Sequence, residues 1–175
     1  NEEWARLVQE GVAKKVGEGS IHNFGTVSTT SGALYLATDG TDLYYYVEAQ
    51  IPDWGDWGMI LDLALYVEGQ EEGKEAAPWN RGYTFTTEGK PQYHLMIQNK
   101  GSDEVAQAIL LADNKNIDVK QDTKANIYKG YEGKVSLKKL GITEDTNLYA
   151  MAVITGNSNG HTVFNVIPQS SSNEL

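Results

Sequence analysis

From residue 33 onward the chain is written as a succession of short β-branched and aromatic runs, each closed by Gly, Asn, Asp or Pro. "ALYLATDGTDLYYYVEAQI" sets two such runs around Asp39-Gly40, a strong hairpin signal. "MILDLALYV" at 59–67 alternates in part and reads as a strand. "RGYTFTT" and "PQYHLMIQN" read as two more, joined as a hairpin through Glu88-Gly89-Lys90. "EVAQAILLA" at 104–112 suits helix or strand, and the turn-like "NKGSDE" and "DNKN" around it favour strand. "NIDVK", "ANIYKGYEGKVSL", "NLYAMAVITG" and "HTVFNVIP" bring the expectation to about ten strands, with "SLKKLG" a short helical turn.

So many short strands with so little helix between them exclude a parallel α/β sheet. The expected fold is all-β: an antiparallel β-sandwich, jelly-roll-like, with two sheets closing on a shared core. A short N-terminal helix is the exception. "EEWARLVQEGVAKKV" at 2–16 puts Trp4, Leu7, Val8, Val12 and Val16 at helical spacing, with Trp4 as packing anchor. Gly11 counts against that helix by about 1 kcal/mol. Residues 1–168 are expected to form a single sandwich domain, and the polar 169–175 a tail or linker start.

A chain of 175 residues, 40% hydrophobic, can bury a sizeable core. Its 14 Lys and Arg against 24 Asp and Glu give a net charge of −10. Nucleic acid is therefore not an expected partner, because no basic stripe exists to release its counterions. An anionic membrane surface is disfavoured on the same ground, and no apolar run is long enough to span a bilayer. A neutral or cationic ligand suits the charge. The absence of cysteine removes disulfides and thiolate chemistry without fixing a compartment. The chain opens on Asn1 rather than Met, which reads as a mature or excised segment, so location has to follow from function.

No phosphate loop, GxSxG elbow or HExxH motif is present. His22, His94 and His161 fall in separate segments; His94, inside "YHLMI", reads as a solvated or hydrogen-bonded strand residue. A pair of glycosidase carboxylates is arithmetically available, yet a small sandwich has little material for the walls of a cleft. Glu68, Glu71 and Glu72 in "VEGQEEGKEAAP" read as an exposed charged connection. The chain is thus expected not to be an enzyme in its own right. "TDGTD" at 38–42 is too short for an EF-hand and lacks its distal Glu; turn geometry explains Asp39-Gly40. Asp53, Asp56 and Asp62 surround a tryptophan pair and are the carboxylates that a structural calcium ion would use, so the metal question stays open.

That pair lies in "IPDWGDWGM" at 51–59, where Pro52, Gly55 and Gly58 break strand alternation around Trp54 and Trp57. Trp79 lies in "EAAPWNRGY", again beside proline. Large indoles in loops either cover core or hold a ligand. Pyranose rings suit them, since apolar C–H faces pack on an aromatic ring while hydroxyls need short polar partners at its rim. Asp53, Asp56, Asn80, Arg81 and Gln92 are chemically suitable partners. Tyr44, Tyr45 and Tyr46 are consecutive, so alternation sends Tyr45 to one face of its sheet and the other two to the opposite face. Tyr45, or the Tyr44/Tyr46 pair, is a second candidate platform, and Tyr66, Tyr83 and Tyr93 suit an ordinary sheet ladder.

Trp4 ahead of "ALYLATDGTDLYYYVEA" resembles the opening of DOMON-like sandwich modules, including family 9 carbohydrate-binding modules. "YEGKVSLKKLGI" at 131–142 and "NLYAMAVITG" are similar to their closing elements, so the resemblance spreads over residues 4–168 through soft patterns. It implies a secreted or cell-surface accessory module that holds polysaccharide near the catalytic domain of a parent glycoside hydrolase. Starch- and pullulan-type α-glucans come first, with xylan or cellulose next. In the family 9 type, paired tryptophans grip a terminal sugar, and Trp54 with Trp57 or Trp79 is the nearest match. Some relatives bind calcium; others bind haem through Met and His, but Met59, Met96 and Met151 are more simply core fillers. The alternative is a structural, inter-domain scaffolding domain of a larger secreted enzyme or surface protein.

Overall fold

A computed structural model describes residues 2–20, 31–49, 59–86, 89–99, 106–118, 123–126, 130–143, 145–156 and 163–168. One short helix, α1 (Glu2–Gln9), precedes eleven strands among these residues. They are β1 (Ala13–Ser20), β2 (Ser31–Thr38), β3 (Asp42–Glu48), β4 (Met59–Val67), β5 (Tyr93–Asn99) and β6 (Ala106–Ala112). β7 (Lys115–Asp118), β8 (Thr123–Asn126), β9 (Gly130–Ser136), β10 (Leu148–Gly156) and β11 (Val163–Ile167) follow. All pairings are antiparallel, in a five-stranded sheet of order β1-β2-β3-β9-β8 and a six-stranded sheet of order β11-β10-β4-β5-β6-β7. The expected all-β sandwich is the fold observed. No helix among the described residues is long and apolar enough to cross a membrane.

Period-two alternation builds the core. On β4, Leu61, Leu63 and Leu65 point inward, and on β5 Leu95 and Ile97 do the same. They meet Leu34, Leu43, Tyr45 and Val47 of the five-stranded sheet, together with Tyr131 and Val135 of β9. Tyr45 is fully buried, with its hydroxyl on Thr123, and burial pushes its ionisation well above the ordinary range. This corrects the expectation that Tyr45 offers a glycan platform: it faces the opposing sheet. Tyr46 points the other way, beneath α1, where Trp4 stacks on it at 5.9 Å and meets Tyr35 at a tilt at 6.2 Å.

The Asp39-Gly40 turn joins β2 to β3 as expected. The Asp39 carboxylate accepts the amides of Asp42 (2.8 Å) and Thr41 (2.9 Å) and the Tyr44 hydroxyl (2.9 Å), which together hold its pKa at about 2. "EVAQAILLA" supplies strand β6, and "LKKL" a 3-10 turn over Leu137–Leu140.

Three expectations are corrected. Helix α1 ends at Gln9 rather than near Val16. Val12 N–H reaches Leu7 C=O (2.9 Å) and Gly11 N–H reaches Val8 C=O (3.1 Å), with Gly11 at φ 74. That is the Schellman termination, in which glycine is the stop signal rather than a weak interior residue. "AKKVGEGS" after it becomes β1. Among its described residues "RGYTFTT" forms no ladder strand and contributes the isolated bridge Ala76–Thr84. The hairpin expected through Gly89 is absent among the described residues, since β5 pairs with β4 and β6.

Candidate functional site

Between β4 and β5 the chain makes an excursion that folds back over the outer face of the six-stranded sheet. Its base is closed by Gly73 N–H on Lys90 C=O (3.0 Å) and Gln92 N–H on Leu65 C=O (3.1 Å). Further out, Phe85 N–H meets Glu75 C=O (2.8 Å) beside the Ala76–Thr84 bridge. Gly73 lies where a Cβ would stand 1.8 Å from the Pro91 carbonyl oxygen, so only glycine lets the two ends of the excursion approach. Ala77, Tyr83 and Phe85 pack on Ala64 of β4 and Val153 of β10. The Y-x-F alternation of this segment thus comes from covering a sheet face, not from belonging to a sheet.

Beneath the cover lies a polar cluster. Asp62 and Ala64 are among the outward residues of β4, and His94 and Met96 among those of β5; the register sets Asp62 diagonal to His94. His94 Nδ1 lies 2.9 Å and 3.1 Å from the two Asp62 carboxylate oxygens, and the Tyr83 hydroxyl donates to Asp62 Oδ2 at 2.6 Å. All three side chains are buried, and the Phe85 ring sits 5.5 Å from the imidazole. Burial pulls the His94 pKa down, but the Asp62 charge and hydrogen bond, with a further bond to the Pro91 backbone, outweigh it and leave it raised. Burial, then the Asp62 charge, drives Tyr83 far above the ordinary tyrosine range. Nδ1 is committed to a buried carboxylate, so that nitrogen turns no lone pair to a nucleophile. A depression lined by Lys74, Ala76, Gln92, Asp113 and Asn114 reaches this edge, with room for about one water molecule.

The outermost part of the excursion is the 3-10 turn Pro78–Asn80. Trp79 (φ 54, ψ 31) and Asn80 (φ 54) are both left-handed, a conformation that costs a non-glycine residue about 1–3 kcal/mol. Trp79 is 38% exposed and Asn80 is exposed beside it. Arg81 anchors the turn: its N–H bonds Pro78 C=O (3.2 Å), and its Nη1 donates to Gly156 C=O at 2.8 Å, at the end of β10.

The structure therefore brings together Trp79, Asn80 and Arg81 of the expected residues. Gln92 is corrected: its Oε1 accepts the Val67 N–H (2.8 Å) and its Nε2 donates to the Val67 C=O (3.1 Å), so its amide completes the end of β4. Asp53, Trp54, Asp56 and Trp57 lie outside the described residues, as do His22 and His161. Asp62, expected to share the acidic loop of the tryptophan pair, is committed instead to His94 and Tyr83. Among the described residues no group of three or more His, Asp and Glu side chains is arranged to hold a metal ion. The Asp62–His94–Tyr83 cluster went unseen in the sequence, although the even-numbered positions of β4 and β5 put Asp62 and His94 on one face.

Fold and site together define an all-β sandwich that carries an anchored aromatic turn at the end of its six-stranded sheet. No protein-family model, curated protein or solved structure matches this chain.

Proposed function

We propose that the protein is a non-catalytic carbohydrate-binding module whose aromatic contact includes Trp79, with Asn80 and Arg81 at its rim. The carrying observation is the backbone of the turn. Two consecutive non-glycine residues are held left-handed, with an indole in solvent, on a segment fixed by a guanidinium–carbonyl bond. Strain of this kind collects at ligand clamps, where the surrounding structure over-determines the conformation. A half-exposed indole beside a carboxamide offers the stacking face and hydrogen-bonding rim that a pyranose needs.

The position of the turn supports the same reading. Gly156, held by Arg81, is the register partner of Met59, and Trp57 stands two residues before Met59 in the chain. The third loop tryptophan thus sits at the strand end that receives the chain from Trp54 and Trp57. With Asp53 and Asp56, these complete the proposed glycan contact. The net charge favours neutral polysaccharide, of starch or pullulan type first and xylan or cellulose second. The module acts from outside the cell or on its surface, next to the catalytic domain of a parent chain, where it raises that domain's effective substrate concentration. Calcium, if used, falls to Asp53 and Asp56.

Retention of the whole domain on immobilised starch, pullulan, xylan and cellulose tests the proposal, with W54A, W57A and W79A beside it. Loss of retention with an unchanged melting curve is expected for W79A. Failure of the intact domain to bind any of the four overturns the proposal. A W79A variant that melts several degrees lower and has no separable binding defect points to the scaffolding role instead.

A further inference from the structure

The buried Asp62–His94–Tyr83 cluster stands apart from the proposed glycan contact, yet it touches both the base and the cover of the excursion that carries Trp79. Through Asp62 it holds the Tyr83 hydroxyl (2.6 Å), four residues beyond Trp79. The strand-side foot at Pro91 stands three residues before His94 and packs against Gly73 at the other foot. Asp62 presents both oxygens to Nδ1, so that nitrogen carries a proton. The same carboxylate takes the Tyr83 hydroxyl, so one buried acceptor ties the imidazole of β5 to the cover.

We infer that Asp62, His94 and Tyr83 are positioning residues for the Trp79–Asn80 turn, a buried carboxylate that bridges the imidazole of β5 and the Tyr83 hydroxyl and so holds the excursion onto the sheet. What the turn does rests on the glycan reading; what holds it does not.

The groups around His94 are few. From β4 it meets Asp62, and from the excursion Tyr83 and the Phe85 ring. Its partner on β6 is the apolar Leu111. At the open edge Lys74 pairs with Asp113 at 3.9 Å, which leaves Asp62 as the charge that governs the imidazole. The folded-state value lies above the ordinary histidine value of about 6.5. The part of the clamp that depends on the charge of the imidazole is therefore fully present below about pH 6.5 and is lost as pH rises through the raised value.

Two readouts test this on the whole domain, from about pH 5.5 to about pH 9.5 around the ordinary histidine value. The first is amide hydrogen exchange at Phe85 and Gly73, corrected for the intrinsic pH dependence of exchange. The second is retention on immobilised α-glucan. In the wild type, protection at both amides falls as pH passes the His94 titration, and Trp79-dependent retention falls with it. H94Q flattens the pH profile. Y83F keeps the ring packed on Phe85 and removes only the hydroxyl, so it remains folded if the buried histidine variant does not. It lowers Phe85 protection by about tenfold or more, the loss for one hydrogen bond to a charged group, while amides of β4 and β10 keep theirs. If Y83F leaves Phe85 protection unchanged, or if the wild-type profile is as flat as that of H94Q, the inference fails. If protection responds but no glycan is retained at any pH, the positioning stands and the glycan reading alone falls.

Discussion

Truncating Trp4 is the sharpest test of how the N-terminal segment is held. Trp4 is the buried residue of α1, 5% exposed, and it lies across three strands. It covers Tyr35 of β2, stacks on Tyr46 of β3 with an interplanar angle of 18°, and donates Nε1–H to Glu132 of β9 at 3.3 Å. A tryptophan side chain buries about 150–250 Å². At about 25 cal/mol per Å², that is worth about 4–6 kcal/mol. Some of this is recovered in the variant, because an eight-residue helix can lift away rather than leave a cavity. The expected cost of W4A is therefore about 3–5 kcal/mol. For a domain of this size it lowers Tm by about 6–20 °C. Denaturant melts give the free energy, and circular dichroism gives Tm. Because Trp4 is the one buried side chain of the helix, with the partly buried Val8 beside it, deletion of residues 1–10 should cost only about 1 kcal/mol more than W4A. A W4A cost below about 1 kcal/mol refutes the anchoring argument. So does a deletion far more damaging than the point change.

Other expectations follow from single contacts. G73A sets a methyl 1.8 Å from the Pro91 oxygen and must part the feet of the excursion, so a loss of about 1–3 kcal/mol, read in urea melts, should come with weaker glycan retention. Y45F and Y131F should differ although both rings are fully buried: Y45F strands the buried Thr123 hydroxyl and costs about 1–3 kcal/mol, whereas Y131F removes a hydroxyl with no partner among the described residues and should be neutral or stabilising. The part of the stability that depends on the His94 proton should be complete below about pH 6.5 and fade as pH rises through its raised value, a slope that H94Q abolishes in pH-dependent melts.

The parts of the fold that were readable in advance are those where local chemistry and tertiary role coincide. "MILDLALYV" became β4 at its expected bounds because its inward leucines meet a second sheet. Asp39-Gly40 became a hairpin turn because Asp39 caps its own loop. Where one local signal serves two tertiary uses, the sequence could not decide. Gly11 reads equally as a flaw inside a helix or as its terminator. Tyr83 and Phe85 alternate like a strand because they straddle a sheet they do not join. Tyr44, Tyr45 and Tyr46 announce two faces, and only the opposing sheet settles that Tyr45 is inside. β1 carries two lysines and two glycines, and it is a strand through its register with β2 rather than its own propensity. The turn at Trp79, Asn80 and Arg81 was legible as a loop because its indole stands beside Pro78. That Gln92 serves a strand end, and that Asp62 serves a buried histidine, depends on which backbone stands opposite.

The most direct measurement of the central claim is a titration of the domain with α-gluco-oligosaccharide, followed through the indole N–H signals of its four tryptophans. W79F assigns the Trp79 signal, and Trp4, sealed against Tyr46, serves as the internal control. The Trp79 resonance should shift saturably with sugar while that of Trp4 stays in place. A Trp79 signal that is unmoved at saturating oligosaccharide of every glycan class contradicts the account.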